Sequence, residues 1–141
     1  MEDLVERLAR GNVTEVKVML ASIALALAVY QLVLIAVCYG KVRPPFLASR
    51  PAGLAHRTSG DAIAVIMVVV AVICLSYFGF EDDATVHVVA ATALLVVLAV
   101  KVAVLRVFHG ASRLLPLLGS SVFVLLAITW VTSAGMYFAD N

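Results

Sequence analysis

Eight residues have the types and spacings from which a site could be built: His56, Arg57, Gly60, His87, Lys101, Arg106, His109 and Arg113. A neutral imidazole nitrogen ligates a metal, and guanidinium or ammonium groups pair with carboxylates. His56 and Arg57 are adjacent, and Gly60 follows one helical turn later. On a helix with 100° and 1.5 Å per residue, His87 and Lys101 differ by about 40°, and His87 and His109 by about 40° in the opposite sense. These three therefore share one face. His87 and His109 would stand about 33 Å apart along the axis, too far to hold one small ligand together. His56 falls level with His109 if their helices run antiparallel. Facing imidazoles, a glycine that leaves flat space beside one of them, and cations for two propionates (Arg57, Lys101, Arg106, Arg113) form the donor set of a membrane b-type haem. His87 lies toward the other end. It is a further candidate ligand, with Tyr77, Met136 or Met19 at a suitable depth as partner, or it lines a quinone or proton site.

Each of these residues also has a plainer explanation. A histidine at the end of a membrane span is commonly interfacial. Arg57, Arg106 and Arg113 can act as topology signals alone. Lys101 is close enough to its helix end to snorkel, and Gly60 can serve simple helix packing. Co-location at one depth and on one face favours the functional reading.

The elements that must position these residues are membrane helices. The chain of 141 residues is 64% hydrophobic and 13% charged, against roughly half and a quarter in a soluble domain. The excess is gathered into four runs, which predict spans at about 16–40, 58–80, 84–108 and 113–138. Each run approaches the roughly 20 residues needed to cross a bilayer core. None alternates as the strands of a membrane barrel do. The expected fold is all-α: a single four-span membrane domain, 1–141, forming a four-helix bundle in the lipid bilayer. Residues 2–10, with Leu4, Val5 and Leu8 at helical spacing, suggest a short interfacial helix. The first run is too long for a signal peptide and follows mixed rather than basic charge.

Charge sets the expected sidedness. The first loop carries Lys41, Arg43, Arg50 and Arg57, and the third is approached by Lys101, Arg106 and Arg113. The second is Glu81-Asp82-Asp83. Basic short loops stay in the cytoplasm, so loops 41–57 and 106–113 are expected to be cytoplasmic and both termini on the outer side. The short connection between spans 2 and 3 predicts a hairpin, as does the one between spans 3 and 4. Ser49 with Pro51 is one possible start for helix 2, placing His56 on the helix, and Thr58 or Ser59 is another, placing it just outside. Ala24 with Ala28, Ala99 with Ala103, and Gly119 with Ser120 would allow close helix contact. Cys38 and Cys74 sit in no metal or haem-attachment pattern. A net charge of +1 gives no sign of a nucleic-acid partner.

Taken in order, HR-x-x-G opening helix 2, His87 opening helix 3, K-x4-R closing it, and R-x-x-P-x-x-G (Arg113, Pro116, Gly119) entering helix 4 resemble a bacterial family of small four-span proteins without settled function. That family is similar to four-helix membrane b-type cytochromes. The resemblance covers about residues 54–138. It implies a multi-pass protein of a prokaryotic plasma membrane that binds haem b and exchanges electrons with a quinone or a partner redox protein. Similar sequences carry a second histidine within helix 2, level with His87. This chain has Ile73 there, and His109 has no counterpart in the pattern. The competing expectation is a cofactor-free accessory or anchor subunit of a larger membrane complex. A third is a small transporter or proton channel using the polar line His87, Lys101 and His109.

Overall fold

The computed structural model describes residues 12–41, 49–78, 85–107 and 113–140. Helix α1 is Val13–Cys38. Helix α2 is Ser49–Ile73, prolonged by a π-helical turn, Cys74–Phe78. Helix α3 is Thr85–Arg106. Helix α4 is Leu115–Trp130, followed by a π-helical turn, Val131–Gly135, and a last α-helical turn, Met136–Asp140. The fold is an all-α four-helix bundle with no strand among the described residues. Its four helices are long and apolar enough to cross a membrane, with mean hydropathy of 1.9 to 2.7 over their most apolar windows. The expected interfacial helix at 2–10, the acidic loop Glu81-Asp82-Asp83 and His109 lie outside the described residues.

Local signals set the helix ends. Asn12 caps α1, its side-chain oxygen accepting from the Glu15 amide at 3.3 Å. At the other end Gly40 takes the left-handed conformation (φ 68°). The Gly40 and Lys41 amides donate back to the Val37 and Ala36 carbonyls. That is a Schellman closure, which favours glycine because a Cβ is strained at this φ. Helix α2 starts at Ser49, earlier than the expected 58, so His56 lies well inside it. Pro116 sits in the first turn of α4, where a missing amide hydrogen costs nothing.

The bundle is antiparallel, and its two ends differ. Val13 packs on Ile73, so the start of α1 meets the end of α2 at the end that also holds His87. Leu34 and Val37 pack on Ala52 at the opposite end. Between the ends, the core takes Ala24 and Ala28 from α1, Ile63 and Met67 from α2, Leu94 and Leu98 from α3, and Val122 and Leu126 from α4. Branched apolar residues, including Val65, Val86, Val89 and Leu117, face outward. Such a surface suits a lipid solvent, and the small Ala24 and Ala28 inside let α1 approach its neighbours closely. The tightest pairs are α1 with α2 and α3 with α4, and α1 also bears on α4. Helices α2 and α3, expected as a hairpin, touch only lightly. A short connection fixes their direction, whereas the bulky Ile63, Met67, Leu94 and Leu98 all lie in the core that these helices share.

Small residues divide in the same way. Ala24 and Ala28 are buried at the α1 interface as expected. Ala99 and Ser120 are exposed, and a Cβ at Gly119 would meet nothing within 4 Å. These three therefore mediate no close contact. A polar tie joins α4 to α1: the Trp130 indole N–H donates to Ser22 Oγ at 3.0 Å. Trp130→Phe is expected to lower stability by about 1 kcal/mol, the scale of such bonds in membrane bundles. Detergent titration of the folded fraction would measure this, and an unchanged midpoint would mean that the bond carries no net weight.

Candidate functional site

Two polar clusters stand at opposite ends of one apolar core. On α3 the buried stripe runs Ala90, Leu94, Leu98, Val104. His87 and Lys101 fall on the same heptad phase and are both half-buried. The shared face inferred for them is therefore the bundle-facing one. Fourteen positions apart, they stand about 21 Å from each other along the axis.

The first cluster joins α1 to α2. The buried Gln31 carboxamide donates from Nε2 to the His56 carbonyl at 3.0 Å and to Ser59 Oγ at 3.2 Å. Ser59, also buried, donates its own hydrogen to the Ala55 carbonyl at 2.7 Å. Gly60 completes the arrangement: a Cβ there would come within 3.0 Å of Gln31 Nε2. The space beside this glycine thus holds the Gln31 carboxamide. His56 is half-buried, and its Nδ1 is buried with no hydrogen-bond partner. Lys101 lies within electrostatic reach of His56. Arg57, Arg106 and Arg113 are exposed. Arg106 reaches Asp61 at 3.7 Å, both side chains being over 70% exposed, a pairing worth little on its own. Three of the four cations suggested for propionates therefore point outward, and Lys101 alone is set into the bundle. The proposed facing partner, His109, lies outside the described residues.

The second cluster joins α3 to α4. His87 Nδ1 lies 3.0 Å from Thr132 Oγ1. The Thr132 hydroxyl directs its hydrogen to the Ile128 carbonyl at 2.9 Å. With the hydroxyl hydrogen on the Ile128 carbonyl, the imidazole donates from Nδ1 and Nε2 of the neutral ring keeps its lone pair; in the other tautomer Thr132 donates to Nδ1 and Nε2 carries the proton. Thr132 sits in the π turn, and the turn explains its position. Buried positions on α4 run Val122, Leu126, Thr129 and then Ala134, and the last step of five is the signature of one extra residue in the turn. Ser133 donates to the Thr129 carbonyl at 2.8 Å. Threonine and serine hydroxyls thus satisfy carbonyls that the widened turn loosens. Lys17 of α1 lies within electrostatic reach of His87 and of Cys74, which opens the π turn of α2. Met19, Met136 and Tyr77, the suggested partners of His87, are all exposed. Ile73 is buried against Val13.

Donor chemistry for a haem is present in part. His56 supplies an unsatisfied buried nitrogen and His87 a ring oriented by Thr132, while the flat space expected beside Gly60 is taken by Gln31. No group of three or more His, Cys, Asp or Glu side chains suited to a metal ion forms among the described residues. Sequence reasoning missed Gln31, Ser59, Asp61, Lys17 and Thr132. Gln31 could have been found as a carboxamide inside an apolar run, since intramembrane polar groups are costly to leave unpaired.

An antiparallel bundle of four apolar helices, polar at both ends and lined with branched side chains outside, defines a small multi-pass membrane protein. The chain belongs to a family of unknown function, DUF6529, whose model matches residues 5–141. No curated protein and no solved structure matches the chain.

Proposed function

We propose that this protein is a membrane electron carrier, or the electron-carrying subunit of a larger complex. It binds b-type haem near the His56 end and exchanges electrons with a quinone or a partner redox protein. The observation behind this proposal is the buried His56 Nδ1 that lacks a partner beside the half-buried Lys101. A buried unsatisfied nitrogen in a folded protein calls for a missing partner. His56 and His109 are the proposed ligands, with His87 the third candidate. Lys101, and Arg57, Arg106 and Arg113 at the rim, balance the propionates. Bound haem supplies one-electron chemistry. The chain orients the imidazoles and keeps water out. Loops 41–57 and 106–113 face the cytoplasm in this proposal, in a prokaryotic plasma membrane.

Purification in detergent is expected to give a Soret band that shifts on dithionite reduction. His56→Ala and His109→Ala should each abolish it. A colourless folded protein defeats the proposal, and loss of the band in His87→Ala alone moves the ligand to the other cluster. A second reading is a cofactor-free accessory or anchor subunit. The Gln31 carboxamide favours it, because it fills the space beside Gly60. Co-purification of stoichiometric partners without a chromophore would establish that alternative.

A further inference from the structure

The His87 end has features that the haem proposal does not use. Both π turns among the described residues, Cys74–Phe78 on α2 and Val131–Gly135 on α4, lie at this end. Such turns are inserted residues that recur at functional sites. In the tautomer that donates from Nδ1 to Thr132, His87 Nε2 is an acceptor. Helices α2 and α3, which carry Cys74 and His87, approach each other less closely than α1 and α2 or α3 and α4 do. Lys17 sets a positive charge nearby, which disfavours a second metal cation and favours an electron-rich oxygen. Among the described residues, the partners suggested for His87 as a haem ligand, Met19, Met136 and Tyr77, are exposed, and Ile73 is buried against Val13.

We propose that this end binds the headgroup of a lipid-soluble quinol, entering from the bilayer between α2 and α3, with a phenolic O–H donating to His87 Nε2. Thr132 is a positioning residue, since its hydroxyl, accepting from Nδ1, leaves Nε2 to accept. The reduced headgroup is preferred over the quinone, because a quinone carbonyl has no hydrogen to give to Nε2. The charge of Lys17 favours the headgroup's electron-rich oxygens. This inference rests on the electron-carrier reading and names its lipid-soluble partner.

Trp130, the chain's single tryptophan, lies two residues before Thr132 and reports on the site. Protein in nanodiscs is titrated anaerobically with decylubiquinol while Trp130 emission is followed. A saturable change is expected, with the midpoint for decylubiquinone higher. His87→Gln and Thr132→Val should each raise the quinol midpoint about tenfold or more, the loss of one buried hydrogen bond. Valine keeps the shape of threonine, so that variant guards against a folding defect. His56→Ala should leave the midpoint unchanged while removing the Soret band. An unsaturable, linear change, or equal midpoints in wild type and both variants, would mean lipid partitioning only and overturn the site. A colourless protein with a saturable His87-dependent response would defeat the haem proposal and leave this one standing. A Soret band with no saturable response would do the reverse.

Discussion

Gly60→Val is expected to cost the bundle about 2 kcal/mol, the scale of overpacking in a filled interior. The physical reason is a single neighbour. A Cβ at this position would lie 3.0 Å from Gln31 Nε2, and Gln31 is held by two bonds to α2 itself. It cannot yield without lengthening both. Gly60→Ala tests the same contact more finely. Alanine favours a helix over glycine by up to about 1 kcal/mol, so the substitution stabilises wherever space allows. With Gln31 in place, that gain is offset and the variant should be neutral or weaker. In a Gln31→Ala background the clash is gone, and Gly60→Ala should stabilise. Detergent unfolding of the four proteins gives the coupling directly. Equal stabilisation in both backgrounds would show that Gln31 does not stand beside Gly60.

Ala24→Leu is expected to cost about 2 to 3 kcal/mol, whereas Ala99→Leu should change stability by no more than about 0.5 kcal/mol. Ala24 is fully buried, in the core beside Ala28. A larger side chain there pushes apart α1 and α2, the closest pair with α3 and α4. Ala99 is exposed on α3, where a leucine joins the lipid-facing surface. Similar penalties for the two, read from the detergent midpoint, would contradict the packing order of the helices.

That pair of alanines also shows how far sequence alone reaches. Ala24 with Ala28 and Ala99 with Ala103 look alike in the chain, each a small-xxx-small pair in an apolar run. Which one faces a helix depends on which helices pack together, and connection length does not decide that. The four spans and the shared face of His87 and Lys101 were legible because helical periodicity is a property of one segment. The start of α2 was legible only as a choice, resolved by the helix beginning at Ser49. The bonds of Gln31 were not legible, because they cross between helices from a residue whose partners are a carbonyl and a hydroxyl. The step of five on α4 was not legible either, since a π turn adds a residue without a composition of its own. It is this turn that carries Thr132 to His87, a contact absent from any list of ligand types.

The two wide turns of α2 and α4 also make the two ends of the bundle unlike. At the Gln31 end, two helices are stapled by a buried carboxamide on unbroken α-helical turns. At the His87 end, both α2 and α4 pass into a π-helical turn. One end is thus tied by a carboxamide across two regular helices, the other by an imidazole set against a hydroxyl on a widened turn.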